Sequence, residues 1–319
     1  ADRAARPAAD GGRALEDPLT PAQVIPEIRN WFFDQQRYGM IDIHDREWDE
    51  PAGNGGFLYN GGRIYIDMGH IEYCTPECAT ARDIVRYDYA GDQLLMRALD
   101  DLGVADEVQF FRNNIDHYTA ATFGCHENYS LYRYAPFTDV NVMSLLTFQT
   151  VRVLMLGAGR VIGEHAGHYQ GPYLLVESNE SPFQISQRAD YIQNEFFEWV
   201  QHNRAIINTR DEPLADPTQY RRLHLLHGDT NVLPATLFLK VGASKLVLDL
   251  FEDNAMPRII LSDAVAALRS LSSHPDGPWI VRVLEENGAR QKMDALEILD
   301  IYRNACAVEY AGRDDETDA

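Results

Sequence analysis

Apolar and polar positions alternate most clearly between Phe57 and Glu77, FLYNGGRIYIDMGHIEYCTPE. Asn60-Gly61-Gly62 supplies residues that tolerate positive φ, so this stretch predicts a hairpin with a tight turn. Successive strand side chains point to opposite faces, which places Ile64, Ile66 and Met68 on one side and Arg63, Tyr65 and Asp67 on the other. Upstream, Thr20-Pro21-Ala22-Gln23 has the form of a capping box, and Val24, Ile25, Ile28, Trp31 and Phe32 follow at helical spacing, predicting a helix over 21–37. Residues 44–56 are polar and turn-rich, and 1–19 have the composition of a disordered lead-in.

Further along, 79–101 has the period of a long amphipathic helix ending at Gly103, and 108–113 (VQFFRN) is a strand candidate. Residues 138–156 predict a buried helix that stops at Gly157-Ala158-Gly159. The segment 163–182 is a long loop, FQISQRADYI (183–192) alternates, and 193–203 predicts a helix. AIIN (205–208) is an aliphatic strand opening into Arg210-Asp211-Glu212. RRLHLLHGDTN (221–231) places Arg222 and His224 on one face, with Leu223 and Leu225 on the other. The apolar run 232–253 is a core helix. From 262 onward the pattern predicts amphipathic helices and then a disordered acidic end.

Four strands, 62–68, 125–133, 183–191 and 221–227, thus carry polar rows over aliphatic backs. Strands and helices do not alternate in a βαβ rhythm, so the expected class is α+β, a curved and largely antiparallel sheet backed by helices.

Composition narrows the function. With 28 Lys and Arg against 49 Asp and Glu, the 319-residue chain carries a net charge of −21, which disfavours nucleic acid and anionic membranes as partners. No run of about 18 apolar residues occurs, so no membrane span is expected. Four cysteines, Cys74, Cys78, Cys125 and Cys306, suit reduced thiols in a cytoplasmic protein rather than a disulfide framework.

A polar row on a strand is ordinarily a solvated face. Its recurrence here favours a shelf for Mg²⁺ and a nucleotide: Tyr65, Glu72 and His224 as metal ligands, with Arg63, Thr75, Asn128 and Arg222 as phosphate or base contacts. Asp67 is left over for proton transfer. The rival is zinc at His70, Cys74 and Cys78, but their spacing lacks the second ligand pair of a structural site. No cysteine stands in a nucleophile context.

The strings RIYIDMGHIEYCTPE, GCHENY, FQISQRADY, IINTRDEP, RRLHLLHGDTN and LKVG with LVLDL resemble the pupylation enzymes, the Pup deamidase/depupylase and the Pup ligase. These are carboxylate-amine ligases of glutamine-synthetase-like fold. The resemblance runs from about 56 to 255 and implies a core over 20–255 with a helical extension over 256–319. It implies ATP, or ADP plus phosphate, with Mg²⁺ on the residues named above, Asp67 as the catalytic aspartate, and Arg188 and Arg210 toward a substrate's acidic tail or the phosphates. The partner implied is a small Pup-like modifier and its lysine conjugates. The Asp67-to-Glu72 spacing and FQISQRADY are nearer the deamidase than the ligase. The family's opening G-x-E-x-E-Y-G strand has no counterpart in 1–55, so a missing N-terminal metal-binding strand, or a companion chain carrying it, is expected. A depupylase/deamidase is the leading expectation. Its alternatives are a ligase working through an acyl phosphate and an inactive binding subunit or fragment.

Overall fold

A computed structural model describes residues 19–44, 51–116, 121–161, 183–198, 204–285 and 287–312. The chain divides into two compact units, one formed by residues 1–78 and 86–110, the other by 79–85 and 111–319. Residues 1–18 of the lead-in expected over 1–19, the whole of the 163–182 loop and the acidic end from 313 lie outside the described residues.

In the first unit, α1 (Pro21–Asn30) opens as its capping box requires: Gln23 Oε1 accepts from the Thr20 backbone N at 2.8 Å. It runs into one wide π turn, Trp31–Gln35, completing the helical stretch expected over 21–37. A meander follows, β1 (Gly39–Ile41), β2 (Gly55–Leu58), β3 (Arg63–Asp67) and β4 (His70–Cys74), antiparallel throughout. Gly61 supplies the positive φ that the β2–β3 turn needs, and Asn60 Oδ1 accepts from the Gly62 N at 2.9 Å. Met68 does not extend the aliphatic row. With Gly69 it forms the next turn, both residues at positive φ, and its side chain is exposed. Ile64 is fully buried against Val24, Ile28, Trp31, Phe32 and Leu58, a burial that contributes about 1.5–3 kcal/mol. α2 (Ala81–Leu102), which belongs to this unit from Arg86 onward, ends at Gly103, as its period predicts.

The second unit is built on a sheet ordered β5-β10-β9-β8: β5 (Glu127–Tyr132), β8 (Asn194–Phe197), β9 (Ala205–Asn208) and β10 (Tyr220–Leu225). Its pairs are antiparallel except β8 with β9. Leu131, Ile207, Leu223 and Leu225 share one core with helices α3 (Asp139–Val151) and α5 (Pro234–Glu252). α4 (Val153–Leu156) continues α3, and the short strands β6 (Arg160–Val161) and β7 (Phe183–Gln184) pair with each other. Residues of α6 (Ala264–Ser273) and α7 (Ala295–Tyr310) belong to the same core.

Four expected elements differ. Residues 108–113 form no strand and pair with none among the described residues, and their apolar side chains Val108 and Phe110 pack on the first core. The strand expected over 183–191 stops after Gln184, because the Asp229 carboxylate draws the Gln187 and Arg188 backbone N–H groups away from any ladder, at 2.9 and 3.1 Å. Where a helix is expected over 193–203, Asn194–Phe197 is β8, its two adjacent phenylalanines suiting a pleated surface, and 199–203 lie outside the described residues. In the C-terminal segment the helical expectation misses a hairpin, β11 (Ile280–Leu284) with β12 (Arg290–Asp294), whose turn contains Asn287-Gly288.

Inside α2, Gly91 is buried, and a Cβ there would come 2.3 Å from the Tyr73 ring. Gly91→Ala should therefore destabilise the first unit by about 1–3 kcal/mol through overpacking, although alanine is the better helix former. Urea unfolding of the variant checks this, and Gly91→Ala with Tyr73→Leu should recover most of the loss.

Candidate functional site

In the first unit the β3–β4 register pairs Tyr65 with Glu72, Arg63 with Cys74 and Asp67 with His70. The Tyr65 hydroxyl donates to Glu72 Oε2. Burial, and then the neighbouring Cys74 and Glu72, push this phenol well above its ordinary value, so it stays a neutral donor. The Arg63 guanidinium lies over the Tyr65 ring, 4.3 Å from its centroid, and 4.0 Å from the buried carboxylate of Asp42. Asp42 in turn accepts from His44, whose Nδ1 is 2.8 Å from Oδ1. Asp67 is partly exposed at the end of β3, and Thr75 lies just past β4. Arg63, Tyr65, Asp67 and Glu72 thus form one cluster set by the strand register.

In the second unit the row on β10 forms as its alternation predicts. Arg222 Nε donates to Asn128 Oδ1 at 2.7 Å, and its Nη2 reaches His224 Nδ1 at 3.2 Å. The His126 ring meets His224 edge-on at 5.0 Å. Burial, then His126 and Arg222, pull the His224 pKa down to about 2, so the imidazole is neutral. A guanidinium only donates, so Nδ1 accepts and the ring proton sits on Nε2, an atom that is buried without a hydrogen-bond partner among the described residues.

Arg188 is completely buried, and burial followed by the Arg204 charge draws its pKa down to about 9. Its Nη1 donates to the Phe123 carbonyl, while Nε and Nη2 find no partner among the described residues. Arg210 is instead engaged with Glu212, 3.1 Å from Oε2. Four cations, Arg188, Arg204, Arg222 and Lys240, act together on His126, a local positive field in a chain of net charge −21.

Behind this row lies a group that sequence reasoning missed. Glu127 points away from its neighbour Asn128 and is clamped by Arg152, Nη2 to Oε1 at 2.6 Å and Nη1 to Oε2 at 3.0 Å, with Lys240 Nζ 3.5 Å away. Burial alone would push its carboxyl up, but the Arg152 guanidinium and the Lys240 ammonium hold it well below the usual carboxylate range. Asp229 is likewise buried, its oxygens taken by Ser186 and by the backbone of Ala158, Gln187 and Arg188. The signals were available: Glu127 sits inside GCHENY and Asp229 inside HGD.

The expected metal ligands divide between the units, Tyr65 and Glu72 in the first and His224 in the second. Glu72 is the hard oxygen donor that Mg²⁺ takes, whereas His224 is a softer donor that could accept a cation at Nε2 only once Arg222 leaves Nδ1. Among the described residues no three His, Cys, Asp or Glu side chains converge as a metal cage. The zinc alternative at His70, Cys74 and Cys78 therefore gains no support either.

Antiparallel sheets with helices behind and a polar row in front define an α+β protein of glutamine-synthetase-like fold. Two solved structures share it: the Pup ligase PafA of the prokaryotic ubiquitin-like modification pathway in complex with ADP (TM-score 0.66, 30% identity, 98% of this chain and 62% of that one), and the complex between the prokaryotic ubiquitin-like protein Pup and its ligase PafA (TM-score 0.70, 29% identity, 95% and 56%). Residues 10–319 match the family described as Pup-ligase protein, and the chain belongs to that family. Its relatives include a depupylase of Acidothermus cellulolyticus (40% identical over 232 residues, 71% of this chain and 44% of that protein). Others are a Pup–protein ligase of Kineococcus radiotolerans (38% over 255 residues, 77% and 52%) and a Pup deamidase/depupylase of Mycolicibacterium smegmatis (36% over 270 residues, 83% and 51%). The chain spans about half the length of these curated relatives.

The buried imidazoles give a pH signature. Burial, the first cause for both, draws the pKa of His224 down to about 2 and that of His227, which also lies beside Arg152, down to about 3, against the 6.5 of an unfolded histidine. Between those values the unfolded state holds more protons, so stability rises with pH up to about 6.5 and is flat above. Urea midpoints measured from pH 4.5 to 6.5 should climb, and His224→Asn should reduce the slope.

Breaking the clamp is expected to cost more. Glu127→Gln leaves Arg152 and Lys240 buried without their counter-charge and should lower stability at pH 7 by about 3–5 kcal/mol. Calorimetric unfolding of the variant measures it.

Proposed function

We propose that this chain is the nucleotide-handling part of a depupylase/deamidase. It would act on the C-terminal Gln or Glu amide of a small Pup-like modifier, hydrolysing the isopeptide bond to a target lysine or deamidating the free modifier. The observation that carries this reading is the buried Arg188 guanidinium, whose Nε and Nη2 lack protein partners among the described residues, within a local group of four cations. A desolvated cation of this kind is matched by phosphate or carboxylate oxygens. Relatives that act on Pup, and a similar structure solved with ADP, agree with that ligand class.

In this reading Arg222, Asn128, Arg63 and Thr75 contact ATP, or ADP with phosphate, and Arg188 and Arg210 meet phosphates or the modifier's acidic tail. Tyr65, Glu72 and His224 are the proposed Mg²⁺ ligands. When bound, the cation would offset phosphate charge and polarise the reacting carbonyl. Tyr65 keeps the Glu72 carboxylate aimed by donating to it. Asp67, at the open end of β3, acts as base or nucleophile on the amide.

A ligase that forms the bond through an acyl phosphate is the second reading, favoured by the relatives named Pup–protein ligase and by the PafA structures. The full assembled protein with Mg-ATP and a lysine-conjugated modifier separates them. Hydrolysis should release modifier without net nucleotide consumption, while ligation should consume one ATP for each conjugate formed. Asp67→Asn should slow release about 10²–10⁴-fold with nucleotide binding retained. Equal rates in wild type and variant would remove Asp67 from the chemistry, and loss of nucleotide binding in the wild-type assembly would favour an inactive binding subunit.

A further inference from the structure

Lys240, on α5, is almost wholly buried, and its ammonium reaches three acceptors: the Asp229 carbonyl oxygen at 2.8 Å, Glu127 Oε1 at 3.5 Å and Cys125 Sγ at 3.5 Å. The first two belong to the interior. The third is a thiol on a half-buried residue just ahead of β5. Gly228 leaves the room for this meeting, since a Cβ there would come 3.0 Å from Nζ and 2.7 Å from Glu127 Oε1. The function proposed above makes no use of Cys125, yet its sulfur has a fixed amine neighbour that cannot rotate away into solvent.

We propose that Cys125 and Lys240 form a reversible peroxide-driven crosslink, a sulfenamide bond between Sγ and Nζ. In the first step the Cys125 sulfur attacks hydrogen peroxide. One oxygen is transferred to sulfur, the O–O bond breaks and water leaves, so sulfur loses two electrons and peroxide gains them. The resulting sulfenate pairs with the Lys240 ammonium, which passes one proton to the sulfenate oxygen. Nitrogen then attacks sulfur, the S–O bond breaks, and a second proton from nitrogen completes a water molecule. The product, S–NH, is neutral. Two equivalents of thiol reverse it, yielding Cys125 thiol, Lys240 amine and a disulfide of the reductant.

The bond would pin the segment ahead of β5 to α5 and remove one of the four positive charges around His126. Oxidation should therefore weaken anion binding on the β5–β10 face. The crosslink itself is independent of what that face binds.

Treating the protein with hydrogen peroxide, digesting with trypsin and weighing the peptides tests it. The expected product joins the Cys125 peptide to one with Lys240 uncleaved, lighter by two hydrogens than the two together, and dithiothreitol should return both. The joined product should be absent from Cys125→Ser and present in Cys74→Ser, which removes the exposed thiol. A dimedone-labelled Cys125 with no joined peptide would overturn the proposal, as would a joined product that persists in Cys125→Ser.

Discussion

The Glu127 carboxylate, held by Arg152 from α4's lead-in and approached by Lys240 from α5, is the interaction on which the second unit depends. A strand has a side-chain period of two, so fixing Glu127 on the helix side fixes Asn128 on the other. Asn128 then stands opposite His224 in the β5–β10 register and receives Arg222. A buried ion pair adds little net stability over well-packed apolar residues, and its worth here lies in register: a one-residue slip would carry the carboxylate away from both cations. The Asp229 carboxylate plays a similar part, gathering the backbone around Ser186–Arg188 so that the Arg188 side chain enters the interior.

The first unit reaches a comparable end by simpler means. Ile64 fills the core beneath α1, and the residues on either side of it, Arg63 and Tyr65, are thereby turned to the opposite face. Directly across β4, Glu72 receives the Tyr65 hydroxyl. Each unit therefore presents a preset group of polar side chains above an apolar back. In a strongly acidic chain, the guanidiniums in these groups are what recommends an anionic ligand.

Much of this was legible in the chain. The Asn60-Gly61-Gly62 turn, the alternation through Ile64, the capping box at Thr20 and the Gly103 stop each follow from local chemistry, and each formed. So did the pairing of Arg222 with His224 on one strand face. What was not legible depended on distant partners. The alternation in FQISQRADYI looked like a strand, but Asp229, about forty residues away, takes the backbone donors that a ladder would need. The roles of Arg152 and Lys240 were hidden because each lies in an apolar helical run and finds its carboxylate only on folding. The β11–β12 hairpin has its local signal in Asn287-Gly288, but that turn is outweighed by the helical period expected from 262 onward. The family resemblance points to Arg188, while the lack of a partner for its Nε and Nη2 among the described residues is a property only the folded chain reveals.

Contact between the guanidiniums of the β5–β10 face and a nucleotide's phosphates, as proposed above, can be measured at Arg222. ADP with Mg²⁺ is titrated calorimetrically into the protein and into Arg222→Ala. Loss of one charge-assisted hydrogen bond of about 1.5–3 kcal/mol should weaken binding by about tenfold or more, with the fold intact. Equal affinities for the two proteins would contradict it.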